Sequence, residues 1–198
     1  MSLHNIILNA TQTLIDHVDE LTVLDQAIGD GDHGLNMKRG AQAIQAKLPT
    51  MQESNLNDAL NTMGKVCVAQ IGGSSGPVFG TLLMTLGKAL PTEPTASDMA
   101  TALRLGIEAL TRLGKAEVGQ KTLLDVLDPV QKVLALGGDG LLARVKQCAF
   151  DSAVATANMD ATRGRSSFLG DRAKGHVDPG SRSMALIISS VCDSLATS

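Results

Sequence analysis

Asp25-Gln-Ala-Ile-Gly-Asp30-Gly-Asp32-His33-Gly34-Leu-Asn36 admits readings that lead to different folds. Gly29-x-Gly31-x-x-Gly34 has the glycine spacing of a dinucleotide-binding turn, and that turn needs a β-strand before it and a parallel sheet around it. The residues before it are spaced otherwise: Leu3, Ile6, Ile7, Ala10, Leu14, Val18 and Leu21 make a single helical stripe. Asp30 and Asp32 would also stand where a pyrophosphate must approach. A calcium-binding loop starting at Asp30 fails as well, since it needs glycine where Leu35 stands and glutamate where Ala41 stands. The segment is therefore a polar connection between helices.

Helical stripes continue outward from it around Met37–Leu48, Leu56–Ile71, Phe79–Leu90, Met99–Leu113, Leu123–Leu136, Leu141–Met159 and Met184–Leu195, which with the first makes eight helices. Pro49, the Pro91–Pro94 turn, Gly114–Gly119 and Gly137-Gly138 separate them. The best strand-like run, Val66–Ile71, also reads as the end of a helix. Short connections make neighbours antiparallel, so the chain is expected to be an all-α bundle. At 198 residues and 20.6 kDa it has the size of one domain, 1–198, without repeats or low-complexity segments.

Composition narrows the function. A formal charge of -3 without a basic cluster argues against nucleic acid and anionic membranes, and the absence of Trp and Tyr removes stacking platforms for bases. No apolar run approaches the roughly 20 residues of a membrane span. Cys67, Cys148 and Cys192 lie far apart in apolar surroundings and read as reduced thiols. Met1–Asn9 shows no secretory signal, so the expected compartment is the cytoplasm.

The chemistry collects in four connections: 25–36, 72–80, 114–122 and 160–180. Asp25, Asp30 and Asp32 would repel one another unless a hard cation such as Mg²⁺ lies between them; the plain alternative is a solvated turn with Asp32 capping the next helix. Gly72-Gly-Ser-Ser-Gly-Pro77 offers backbone N–H groups to an anion at a helix start. It also spells Gly-x-Ser-x-Gly, the elbow of a serine hydrolase using Ser74, with aspartates and then His176 downstream. Gly119-Gln-Lys-Thr122 misses the P-loop pattern by the intruding Gln120. The 160–180 segment carries Arg163, Arg165, Arg172, Lys174, His176 and Asp178 among glycines, and an arginine there could clamp phosphoryl oxygens. His4 and His17 read as surface or packing residues.

Ile28-Gly-Asp-Gly-Asp-His-Gly-Leu-Asn-Met37, Gly72-Gly-Ser-Ser-Gly-Pro-Val-Phe-Gly80, Arg112-Leu-Gly-Lys-Ala116, Lys121-Thr122, Gly164-Arg-Ser-Ser-Phe-Leu-Gly170 and Gly175-His-Val-Asp-Pro-Gly180 together resemble the nucleotide-binding domain of dihydroxyacetone kinases, in order and spacing, over nearly the whole chain. The companion substrate domain of the fused ATP-dependent kinases is missing from the sequence, so the likeness is to the free-standing ADP-binding subunits of phosphotransferase-dependent enzymes. Gln120 in place of an acidic residue, Leu123 in place of a common methionine and Ser74 in place of a frequent alanine are departures from the family pattern.

The resemblance implies an eight-helix antiparallel barrel with a nucleotide site at one end. It implies ADP or ATP as cofactor, with two Mg²⁺ ions bridged to the phosphates by Asp25, Asp30 and Asp32. It assigns His33, Gly34, Leu35, Asn36, Ser74 and Ser75 to phosphate or ribose, and Gly114, Thr122 and Leu123 to the border of the base. Asp178, Pro179, Gly180 and the catalytic Arg165 are assigned to closure over the nucleotide. The implied partners are a phosphohistidine protein that rephosphorylates resident ADP and a kinase subunit that holds dihydroxyacetone. A serine hydrolase and a nucleotide-sensing interaction protein without turnover are the alternatives; the assembly state, homodimer included, stays open.

Overall fold

Each apolar stripe of the sequence becomes a helix. A computed structural model describes residues 2–197, the side chain of Arg165 excepted. Among the described residues there is no strand, and the helices are α1 (Leu3–Asp16), α2 (Val18–Ile28), α3 (His33–Lys47), α4 (Leu56–Gln70), α5 (Ser75–Ala89), α6 (Ala96–Gly114), α7 (Leu124–Leu136), α8 (Leu141–Ala155) and α9 (Pro179–Ala196). The strand-like run Val66–Ile71 ends α4. Nine helices stand where the stripes predict eight, because the first stripe divides at His17 (φ -105°, ψ 17°). There the imidazole Nδ1 lies 2.8 Å from the Thr13 carbonyl and competes with the backbone ladder.

The helices α1 and α3 to α9 pack each on the next, and α9 returns to α1. Eight staves thus close a ring, and the extra helix, α2, lies against α3 and α9. Leu21, Ala59, Val126, Ala149 and Ala153 are fully buried in the core, which also takes Cys67 and Cys192. All three cysteines are free thiols, and burial pushes Cys67 up to about 12 and Cys192 up to about 11, so neither is a thiolate at neutral pH.

An up-and-down ring puts alternate connections at the same end. Segments 29–32, 71–74, 115–123 and 156–178 share one end, and 48–55, 90–95 and 137–140 share the other. The N-termini of α3, α5, α7 and α9 consequently meet at one mouth, where their positive dipole ends favour an anion. The 160–180 segment, without helical period in sequence, contains the 3-10 turns of Arg165–Ala173, kinked at Gly170.

Candidate functional site

A cleft of about 350 Å³ opens at that mouth, lined from all four connections. Side-chain capping is unevenly spread between the two ends of the barrel: α8 at the far end starts uncapped at Gly140, and at the cleft end α9 alone is capped, by Asp178. At the far end Asn55 caps α4 by accepting from Asp58 N at 2.9 Å, and Thr95 and Asp98 form a reciprocal capping box on α6. At the cleft the cap residues of α3, α5 and α7, which are Asp32, Ser74 and Leu123, make no side-chain capping bond. At α7 the Leu124, Asp125 and Val126 N–H groups are taken by Thr122 Oγ1 and by the Thr122 and Leu123 carbonyls, so the first-turn N–H groups left for a ligand are those of α5 and, after His33, of α3.

The acidic trio sits among these helix starts. Asp25 projects from the last turn of α2, Asp30 and Asp32 from the turn that follows, and one ligand oxygen of each lies within 4.8 Å of the others. Asp25 is buried and its Oδ2 accepts from His33 N at 3.1 Å, which fixes its rotamer. A Cβ at Gly29 would fall 2.1 Å from Asp25 Oδ1, so only glycine lets the chain pass the carboxylate. Asp32 does not cap α3, contrary to the plain reading of the turn. Oxygen ligands at this spacing, joined by glycines, match the demands of a hard divalent cation.

The imidazole of His33 is buried at the cleft wall between two hydroxyls, with Nε2 2.8 Å from Ser183 Oγ and Nδ1 3.3 Å from Ser75 Oγ. Burial lowers its pKa, opposed by Asp25 and Asp32. The ring stands neutral and orients Ser75.

Asp178 caps α9 by accepting from Ser181 N at 2.7 Å, and Ser181 Oγ donates to the Thr122 carbonyl at 2.9 Å, which links the closing segment to the α7 turn. Burial pushes the Asp178 carboxyl up to about 6, against the bonds from Ser181 and the charge of Lys121.

The cleft gathers Asp25, Asp30, Asp32, His33, Asn36, Ser74, Ser75, Gly114, Thr122, Leu123, Asp178, Pro179 and Gly180. Gly34 and Leu35 are not among its lining. Gly34 seats α3 on α2, since a Cβ there would lie 2.3 Å from Val18 O and Thr22 Oγ1, and the Leu35 side chain is exposed. The side chain of Arg165 lies outside the described residues, whereas Arg163 does line the cleft.

The structural roles of several supporting residues escaped the sequence reading, including that of Lys121, which it quoted only as part of a motif. Lys121, 1% exposed, donates from Nζ to the Thr156 and His176 carbonyls at 2.6 Å each. Asp125, also buried, accepts from Thr122 N at 2.7 Å and from Gly119 N, shaping the turn before α7. Ser183 carries His33. Only the positive φ of 61° at Lys121 marks anything unusual locally, and no sequence pattern foretells it.

The hydrolase reading of Gly72–Gly76 is corrected by this geometry. Ser74 starts a helix, and the strand and sheet that would present a nucleophile are lacking among the described residues.

Residues 27–193 match the DAK2 domain. The chain is 39% identical to the ADP-binding subunit DhaL of PEP-dependent dihydroxyacetone kinase 1 from Listeria innocua serovar 6a, over 84% of this chain and 82% of that one. It is 35% identical to the ADP-binding subunit DhaL of Escherichia coli K12, over 85% and 84%. The dihydroxyacetone kinase of C. freundii, solved with AMP-PNP and Mg²⁺, superposes with a TM-score of 0.78 at 26% identity over 97% of this chain. This chain spans only 33% of that kinase. These likenesses give no support to a serine hydrolase or to a sensor without turnover. A match running from the end of α2 through most of α9, on a barrel of the same shape, means that the chain belongs to the DAK2 domain family.

Proposed function

We propose that this chain is the ADP-binding, phosphoryl-transferring subunit of a phosphotransferase-dependent dihydroxyacetone kinase. One observation carries the reading: three carboxylates within 4.8 Å of one another share a barrel mouth with the N-termini of α3 and α5, whose cap residues Asp32 and Ser74 make no side-chain capping bond. A site that sets three carboxylates beside open N–H groups at helix starts suits a metal diphosphate better than either ion alone.

In this reading Asp25, Asp30 and Asp32 hold two Mg²⁺ ions. When bound, the metal neutralises phosphate charge, which is most of what phosphoryl transfer requires of a protein. Asp25 is set in advance by the His33 N–H, so its carboxylate needs no rearrangement. His33, neutral, leaves the charge balance to the carboxylates and the helix ends. Ser74, Ser75, Asn36 and the first-turn N–H groups at Gly34 and Leu35 offer donors to phosphate or ribose. Gly114, Thr122 and Leu123 border the base, and Asp178, Pro179 and Gly180 cover the nucleotide. Arg165 is assigned the phosphoryl clamp by family resemblance, and Arg163 adds a second guanidinium at the cleft. The donor is a phosphohistidine protein and the acceptor dihydroxyacetone on a partner subunit, with the chain acting in the cytoplasm as one domain, alone or as a homodimer.

Mass spectrometry of the purified protein tests the reading. Stoichiometric ADP, stripped by chelation, is the expected result, together with formation of dihydroxyacetone phosphate once both partners are supplied. Protein that neither retains nor binds Mg-ADP overturns it.

A further inference from the structure

We infer that Arg39, on the second turn of α3, is a positioning residue that turns the Asn36 carboxamide so that its NH₂ faces the bound diphosphate. The inference rests on the nucleotide reading above. Arg39 Nη2 donates to Asn36 Oδ1 at 2.6 Å, and Arg39 Nε donates to the Gln70 carbonyl at 2.7 Å. A guanidinium has donors only, so the amide atom facing it is the oxygen, and one of the two amide orientations is selected.

The nitrogen of that amide then has a determined place. Asn36 is buried, it lines the cleft, and its Nδ2 has no hydrogen-bond partner among the described residues. Among those residues, every side-chain nitrogen or oxygen shut off from solvent has a partner. The NH₂ group is therefore open to solvent, and the cleft is where Asn36 meets it. Two donors are thus presented to an anion, whereas the flipped amide would present an oxygen and repel it.

The same guanidinium joins two phosphate-facing segments. Its bond to Gln70, the last residue of α4, ties the 71–74 connection to α3. A Cβ at Gly72 would come within 2.6 Å of both Arg39 Nη2 and Asn36 Oδ1. The loop crosses this pair only because residue 72 is glycine. Lysine at 39 would keep the charge but not the planar fork that holds two acceptors at once.

A double-mutant cycle on Mg-ADP affinity, measured by titration calorimetry, tests the inference. Arg39→Met and Asn36→Ala are each expected to weaken binding about tenfold, and the double variant no more than Asn36→Ala alone, to within about twofold. Arg39→Lys is expected to remain closer to Arg39→Met than to wild type. It carries the comparison if the methionine variant does not fold, as judged by its melting midpoint. Losses that multiply in the double variant, an Asn36→Ala protein that binds normally, or full rescue by lysine overturns the inference while leaving the nucleotide reading intact. Wild-type protein without affinity for Mg-ADP overturns the nucleotide reading, and this inference with it.

Discussion

An ammonium group withdrawn from water has to find oxygen atoms, and Lys121 finds them on both arms of the long segment between α8 and α9. The Thr156 and His176 carbonyls receive it at 2.6 Å each, and burial lowers its pKa against the opposing charges of Asp178 and Asp160. Lys121→Met leaves two carbonyls without their donor and is expected to cost about 2–4 kcal/mol. Faster tryptic cleavage between Arg163 and Lys174 would show that the lost stability is local to this segment. Asp178 makes the opposite kind of demand. Its carboxyl titrates at about 6 in the folded chain against an ordinary 3.8, so between those values the native state holds a proton that the unfolded state has released. Its contribution to stability is greatest at the acid end and is lost as pH rises through about 6. Asp178→Asn keeps an oxygen for the Ser181 N–H and removes the titration. In urea unfolding without ligand, the variant is expected to exceed wild type at pH 7.5 and to match it near pH 4; equal stabilities at both pH values would refute the assignment.

At the scale of helix pairs, α4 and α5 approach through glycine. A Cβ at Gly80 would fall 2.4 Å from Val68 Cγ2 and 2.8 Å from the Gly64 carbonyl, and one at Gly64 would fall 2.9 Å from the Gly80 carbonyl. Gly80→Ala gains about 1 kcal/mol of helix propensity but drives a methyl group into opposing backbone. A net loss of about 1–3 kcal/mol in denaturant unfolding is expected, and a stabilised variant would mean that the helices separate at little cost. This contact was hidden in the sequence, where glycine inside a stripe reads as a weak point of a helix. The stripes themselves were legible because each stave buries one face, as Leu103, Gly106 and Leu110 do on α6. The break at His17 was not, since apolar spacing runs straight through it. The acidic trio was legible for a different reason: three carboxylates set close together around small glycines stand out in sequence as a cluster that a hard cation would neutralise. Lys121, Ser181 and Ser183 were not, because their partners lie 35, 59 and 150 residues away, and a single sequence gives no measure of such proximity.

For the whole molecule, closure of the ring sets stability against function. Four connections must share one end, and this brings mutually repelling carboxylates to the place where helix N-termini stand uncapped. Without a ligand both features oppose folding; on the proposed function metal and diphosphate turn both in its favour, and the difference is measurable as linkage. A ligand at 100 times its Kd adds about 2.7 kcal/mol, which for a domain of this size raises the melting midpoint by about 5–10 °C. Mg²⁺ and ADP together are expected to give wild-type protein a rise of this size, and ADP with a chelator only a small part of it. Asp32→Asn separates the two contributions. It relieves repulsion in the ligand-free barrel, so its midpoint without Mg-ADP should equal or exceed that of wild type, while most of the rise on adding Mg-ADP disappears. A variant that melts lower without ligand yet keeps the full rise would mean that Asp32 supports the turn and not the metal, and the carboxylate cluster would then be a consequence of the fold with no share in binding.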